Sequence, residues 1–155
     1  MCQALALSID ELPEEVVRLH ARRVFTRQPA GWREVRFFFR DPQPMLPAWV
    51  DCRLLILPWG NRVLNTRLPR TGWCRQEDLE AGLWRHLQPE LVEIPATLGQ
   101  EKGVWFLIPE GGLRGILVRD ERRQPHVYML TQMASHYYEI MTRSDRMPLF
   151  IGRQF

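Results

Sequence analysis

From residue 90 onward the chain falls into apolar runs six to eight residues long, "LVEIPA", "GVWFLIP", "LRGILVRD" and "HVYMLTQ", each closed off by glycine, proline or charge. Runs this short, bounded by turn-forming residues, suit the strands of a sheet and leave no room for a long helix. The first half has the same grain. "REVRFFFR" reads as a strand, "DPQPMLPAW" breaks regular structure with three prolines, and "VDCRLLILPW" resumes an extended apolar run. Two segments carry helical signals instead. "SIDELPEEVVRLHARR" offers Ser8 or Asp10 as a cap, crowds acids into its first turn and ends on Arg22 and Arg23, matching the helix dipole. "RQEDLEAGLWRHL" sets Leu79, Leu83, Trp84 and Leu87 at helical spacing. "ASHYYEIM" adds a short third helix and "MPLFIG" a last strand. The expectation is an α+β fold, residues 1–155 as a single domain, with a mainly antiparallel sheet and two or three helices. Closure of the sheet as a barrel is one outcome this pattern allows, and the order of strand pairing is not contained in it.

A chain of 155 residues that is 45% hydrophobic and 25% charged has the composition of an ordinary soluble protein with a real core. No run approaches the roughly 18 apolar residues of a membrane span, and no basic segment followed by an apolar one stands at the start. Cys2, Cys52 and Cys74 leave one thiol over in any pairing scheme, and no CxxC occurs, which fits a reduced, cytoplasmic setting. His20, His86, His126 and His136 are scattered without metal-ligand spacing, so no metal site is expected. P-loop, GxGxxG, GxSxG and HExxH patterns are missing too. The reading is of a monomer with no cofactor and no membrane partner.

Charge carries more information than its small net value of +3 suggests. Of 21 basic residues, 20 are arginine and one is Lys102. Guanidinium forks suit phosphate and stack on bases, although a GC-rich genome accounts for the bias equally well. Either way, amine chemistry in this chain falls to Lys102 or to the N-terminus.

Four places carry candidate chemistry. Excision of Met1 would leave Cys2 at the N-terminus, with a thiol and an α-amine on neighbouring carbons that can close together on an aldehyde. The segment "LPWGNRVLNTRLPRTGW" crowds Trp59, Asn61, Arg62, Asn65, Arg67, Arg70 and Trp73 together. Interleaved Arg and Trp suit single-stranded nucleic acid; the same composition also reads as a solvated loop whose tryptophans plug the core. Glu101 follows a turn and precedes a strand, as a general acid or base or as a surface carboxylate. Between the last apolar strands lie Thr131, Ser135, His136, Ser144, Asp145 and Arg146, with His136 able to titrate near neutrality or to sit in a solvated turn.

In this order the segments "MC", "PWG", "NTRLPRT", "PATLGQEK", "TQMAS" and "SDRMP" resemble the SOS response-associated peptidase family. Its members begin Met-Cys-Gly-Arg and carry Trp-Gly-Leu-Ile-Pro, then Asn-Ala-Arg-x-Glu-Thr and Pro-Ala-x-Gly-Phe-Tyr-Glu-Trp. A Thr-Thr-x-Ala-Asn strand end and His-x-Arg-Met-Pro follow. The likeness spans nearly the whole chain, and "PATLGQE" sets Glu101 at the family's glutamate without a gap. It implies a protein of the DNA damage response that binds single-stranded DNA and captures abasic sites through a thiazolidine, a covalent protein–DNA crosslink, with associated lyase activity. Cys2 would be the nucleophile, Asn65 would help hold the site and Glu101 would move protons. Arg62, Arg67, Arg70 and Arg146 would line the DNA path, with Trp59 wedged beside a base.

The departures from the family pattern bear on activity. Ser144 stands where the family has its histidine, so His136 substitutes for it, or the step is slow, or the chemistry is lost. Gln3 and Ala4 replace Gly-Arg, and the Trp-Gly to Asn segment is short. This would be a divergent, reduced member, of a kind that phages carry. Two other readings stand beside abasic-site capture: a single-stranded DNA-binding module whose chemistry has ended, and a cysteine-dependent peptidase or amidase.

Overall fold

The computed structural model describes residues 1–152, which form two sheets and three short α-helices. The smaller sheet contains β1 (Ala4–Ser8), β2 (Val24–Arg27), β3 (Trp32–Phe38), β8 (Leu98–Glu101) and β9 (Val104–Leu107), in the order β2-β3-β1-β8-β9. The larger one contains β4 (Met45–Val50), β5 (Arg53–Pro58), β7 (Glu90–Pro95), β10 (Gly112–Arg119), β11 (Pro125–Met133) and β12 (Arg146–Pro148), ordered β12-β11-β10-β7-β4-β5. A short strand, β6 (Trp73–Arg75), adds to β11 in parallel; the other pairings between named strands are antiparallel. The α+β class and the antiparallel character are as expected. Closure is not: neither sheet forms a barrel. The weak point is the β4–β7 junction, reduced to the single pair Trp49 with Glu93, where Pro47 brings no N–H to extend a ladder.

Pro47 also corrects the reading of "DPQPMLPAW" as irregular throughout, because its last residues belong to β4, paired with β5 across a two-residue turn. Asp51 and Cys52 take positive φ there (49° and 62°), as a tight hairpin turn requires. Both long helix expectations break up. Residues 8–23 become a 3-10 turn (Ile9–Glu11), α1 (Glu14–Leu19) and a second 3-10 turn (Ala21–Arg23), since Pro13 has no N–H to carry a helix through. Ser8 does cap the first turn, accepting from the Asp10 amide at 3.4 Å. Residues 75–87 yield only α2 (Gln76–Glu80) before Gly82, at φ 80°, turns the chain away. The short α3 (His136–Thr142) is present, N-capped by Ser135.

The core lies between the sheets. Leu5, Leu7, Val35 and Phe37 from the smaller sheet meet Leu46, Ile94, Leu113, Leu117, Val127 and Met129 from the larger. The alternate residues Ile116, Val118, Tyr128 and Leu130 pack on the far side against Leu68, Cys74, Trp84 and Leu87. β10 and β11 are therefore buried on both faces over most of their length, which is why they read as nearly unbroken apolar runs, whereas β7 alternates and exposes Leu91 and Glu93. The smaller sheet packs against this core by one face. No described helix is long and apolar enough to cross a membrane, and no three His, Cys, Asp or Glu among the described residues gather around a metal-sized space.

Candidate active site at the chain start

β1 is the central strand of the smaller sheet, and its pairing with β8 brings the chain start beside a segment a hundred residues away. Ala4 lies opposite Gln100, and the Gln3 amide donates to the Gln100 carbonyl at 2.8 Å. The Met1 ammonium donates to Glu101 Oε1 and, at 3.2 Å, to Ser144 Oγ. Ser144 Oγ in turn donates to the Arg146 carbonyl at 3.1 Å. Glu101 is fully buried, and its second oxygen, Oε2, has no partner among the described residues. A buried carboxylate facing an ammonium is placed to take up its proton.

Cys2 sits behind this amine. Its sulfur donates to the Ala4 carbonyl at 3.3 Å and is fully buried, in a space left by the missing side chain of Gly99. Burial pushes the thiol up to about 12, against the smaller opposing effect of hydrogen bonding with Gln100 and Ala4. The Cys2 carbonyl accepts from Trp73 Nε1 at 3.0 Å. Burial raises the phenol of Tyr138 on α3, with Cys2 and Glu101 adding to the effect; its hydroxyl is buried without a partner among the described residues. Trp73, Gly99 and Tyr138 were not singled out by the sequence for this site. Tyr138 had a faint signal, as the inward position of a short helix flanked by exposed Tyr137 and Glu139.

The expected site residues fare unequally. Cys2, Glu101 and Ser144 come together. Asn65 is exposed in the segment 61–70, at φ 65°, and shares no hydrogen bond with them. The asparagine that organises that segment is Asn61, 5% exposed, whose Nδ2 faces the Val63 and Leu68 carbonyls and Thr66 Oγ1, and whose Oδ1 accepts from the Val63 amide. His136 is exposed on the first turn of α3, with no hydrogen bond to the chain start. Trp59 is 1% exposed, packed edge-on against Phe39 and Trp73, and donates to the Gly72 carbonyl at 2.9 Å. As placed, it plugs the core and offers no face to a base.

Several of the arginines are tied down locally. Arg67 donates to the Arg119 carbonyl, Arg70 to the Arg62 carbonyl, and Arg146 pairs with Glu77 and reaches Thr131. Arg62 is the one beside the site. With Gln3, Phe39, Arg40, Trp73 and Gln100 it lines a groove of about 320 Å3. Its guanidinium lies 4.5 Å from the Phe39 ring and, among the described residues, donates to the Asp41 carbonyl alone. Lys102, the single lysine, is exposed and donates to the Arg143 carbonyl at the end of α3.

No family model, curated protein or solved structure matches this chain.

Proposed function

We propose that the protein captures abasic sites in single-stranded DNA covalently, through Cys2 as its mature N-terminus. The observation that supports this reading is the chain's α-amine held against the buried carboxylate of Glu101 and the hydroxyl of Ser144, with a thiol on the next residue. Backbone nitrogens of adjacent residues lie about 3–4 Å apart, so excision of Met1 leaves the Cys2 amine one residue spacing from the position of the Met1 amine, and capture requires it to move up to Glu101 and Ser144.

The chemistry then balances. Glu101 takes a proton from the ammonium, and the free amine adds to the aldehyde carbon of the open-chain sugar. The proton returns to the carbinolamine hydroxyl, which leaves as water to give the imine. The Cys2 sulfur adds to the imine carbon, its proton passes to nitrogen, and the thiazolidine closes with one water lost overall. Ser144 holds the amine in place but cannot supply the titrating group of the family histidine.

One observation favours the second reading, a single-strand binding module without chemistry: the Cys2 sulfur is buried and its thiol is held protonated. Intact mass of the mature protein, followed by incubation with a single-stranded oligonucleotide bearing one abasic site, separates the two. Capture requires loss of Met1 and an adduct that survives denaturation, is absent in Cys2→Ala and forms about 100-fold more slowly in Glu101→Gln. Retention of Met1, or binding with no adduct, overturns it.

A further inference from the structure

On the outward face of the smaller sheet, Ala4 and Ala6 alternate with the core residues Leu5 and Leu7, yet both are fully buried. The register explains the cover: Phe38 lies opposite Ala4 and Arg36 opposite Ala6, and Trp105 opposite Gln100, one strand beyond. Two small residues in the central strand let large neighbours close over them. Phe38 and Trp105 meet edge to face at 6.4 Å.

The chemistry of this layer is specific. Glu34, 2% exposed, accepts from Arg27 Nε and Nη2 at 2.6 Å, from Arg36 Nε at 2.9 Å and from Trp32 Nε1 at 2.9 Å. Arg27 is thus held by two nitrogens and Arg36 by one. Each also backs an aromatic ring with its charge: Arg27 lies 4.5 Å over Trp105, and Arg36 lies 4.5 Å over Phe25. Phe25 is 42% exposed and Trp32 45%. Arg40 lies 4.5 Å over Phe38, is exposed and has no carboxylate partner among the described residues.

We infer that this face is a stacking platform for an unpaired nucleic acid strand. An acidic peptide would use the guanidinium groups alone and leave the exposed Phe25 and Trp32 rings without a role. Bases need exposed rings, which Phe25 and Trp32 supply, and phosphates need an uncommitted cation, which Arg40 supplies. A duplex hides its bases and cannot use the rings. The face meets the groove beside Cys2 at Arg40 and Phe38, but it needs no aldehyde and no free N-terminal cysteine.

The test is fluorescence anisotropy with an intact, labelled oligo-dT carrying no abasic site. Phe25→Ala should weaken binding about tenfold, and Phe25→Trp should restore it. Arg40→Glu should weaken binding and lower the salt dependence by about one phosphate contact. Arg114→Glu, an equal charge change at an exposed position on the other sheet, should leave affinity within about twofold of the parent. The inference is overturned by equal losses in Arg40→Glu and Arg114→Glu, by an unaffected Phe25→Ala, or by polyglutamate binding as tightly as the oligonucleotide. Because no adduct is measured, failure of abasic-site capture leaves this result standing, and the converse holds too.

Discussion

Cys2 and Gly99 share one space: a Cβ built on Gly99 would stand 3.1 Å from the Cys2 sulfur and 2.6 Å from the Phe106 ring. Neither neighbour can give way freely, because the sulfur is fully buried and Phe106 packs against Tyr138 and Phe150. Gly99→Ala should therefore destabilise the fold by about 1–3 kcal/mol. Combined with Cys2→Ala, the loss should be smaller than the sum of the two separate effects, because the sulfur is then gone. Urea denaturation of the four proteins reads this directly, and strict additivity would mean that the two residues do not crowd each other.

The three thiols differ in access. Cys52 is exposed on the β4–β5 turn, whereas Cys2 and Cys74 are buried. In the chain that retains Met1, an aromatic disulfide reagent should titrate one thiol per chain quickly and the other two only on unfolding. Fast reaction of two or three thiols in the native state would contradict the burial described here.

Alkaline pH should destabilise the protein. Burial moves the Cys2 and Cys74 thiols from 9.0 to about 12 and raises the Tyr128 and Tyr138 phenols as well. Above pH 9 the unfolded chain gives up protons that the folded chain still holds, so the stability present below 9 falls as pH climbs toward 12. The urea midpoint should drop across pH 9–11, with a shallower slope in Cys2→Ala. A flat profile would show the thiols titrating alike in both states.

Glu34 produces the opposite dependence at the acid end. Its burial would raise the carboxyl, but hydrogen bonds from Arg27, Trp32 and Arg36 outweigh that and hold it below the usual 4.5. Its contribution is complete above 4.5 and is lost as pH falls through the lower folded value. Glu34→Gln, which leaves two partly buried guanidiniums without their carboxylate, should cost about 3 kcal/mol at neutral pH. It should also flatten the acid limb of the stability curve; an unchanged limb would rule out Glu34 as its source.

The parts of this fold that could be read from sequence are those whose cause is local. The runs of β7, β10 and β11 announce themselves because punctuation bounds them, and α3 because Ser135 stands where a cap belongs. β1 carries no such signal. Its alternation of Ala with Leu acquires meaning only when Phe38 and Trp105 fold over the alanines. The site follows the same division. Cys2 and Glu101 were nameable as reactive groups, but their meeting depends on β1 pairing with β8 across most of the chain, which no window of sequence contains. Asn61 and Asn65 are the same residue four positions apart, and burial alone separates the one that organises its segment. Trp59 and Trp73 likewise exchange roles: the former fills the core, and the latter holds the Cys2 carbonyl.

The arginine-rich segment leaves the larger sheet and returns to it at nearly one point. Trp59 bridges to Val127 and Trp73 pairs with Met129, both on β11, two residues apart or about 7 Å along the strand. The Gly60 amide donates to the Val127 carbonyl, and the Met129 amide to the Gly72 carbonyl, closing both ends. Residues 61–71 therefore form an excursion with a fixed doorway: Leu68 and the Pro69 carbonyl moor its return to the sheet, and the exposed stretch 62–65 is the part that can lengthen, shorten or be exchanged without resetting the strands behind it.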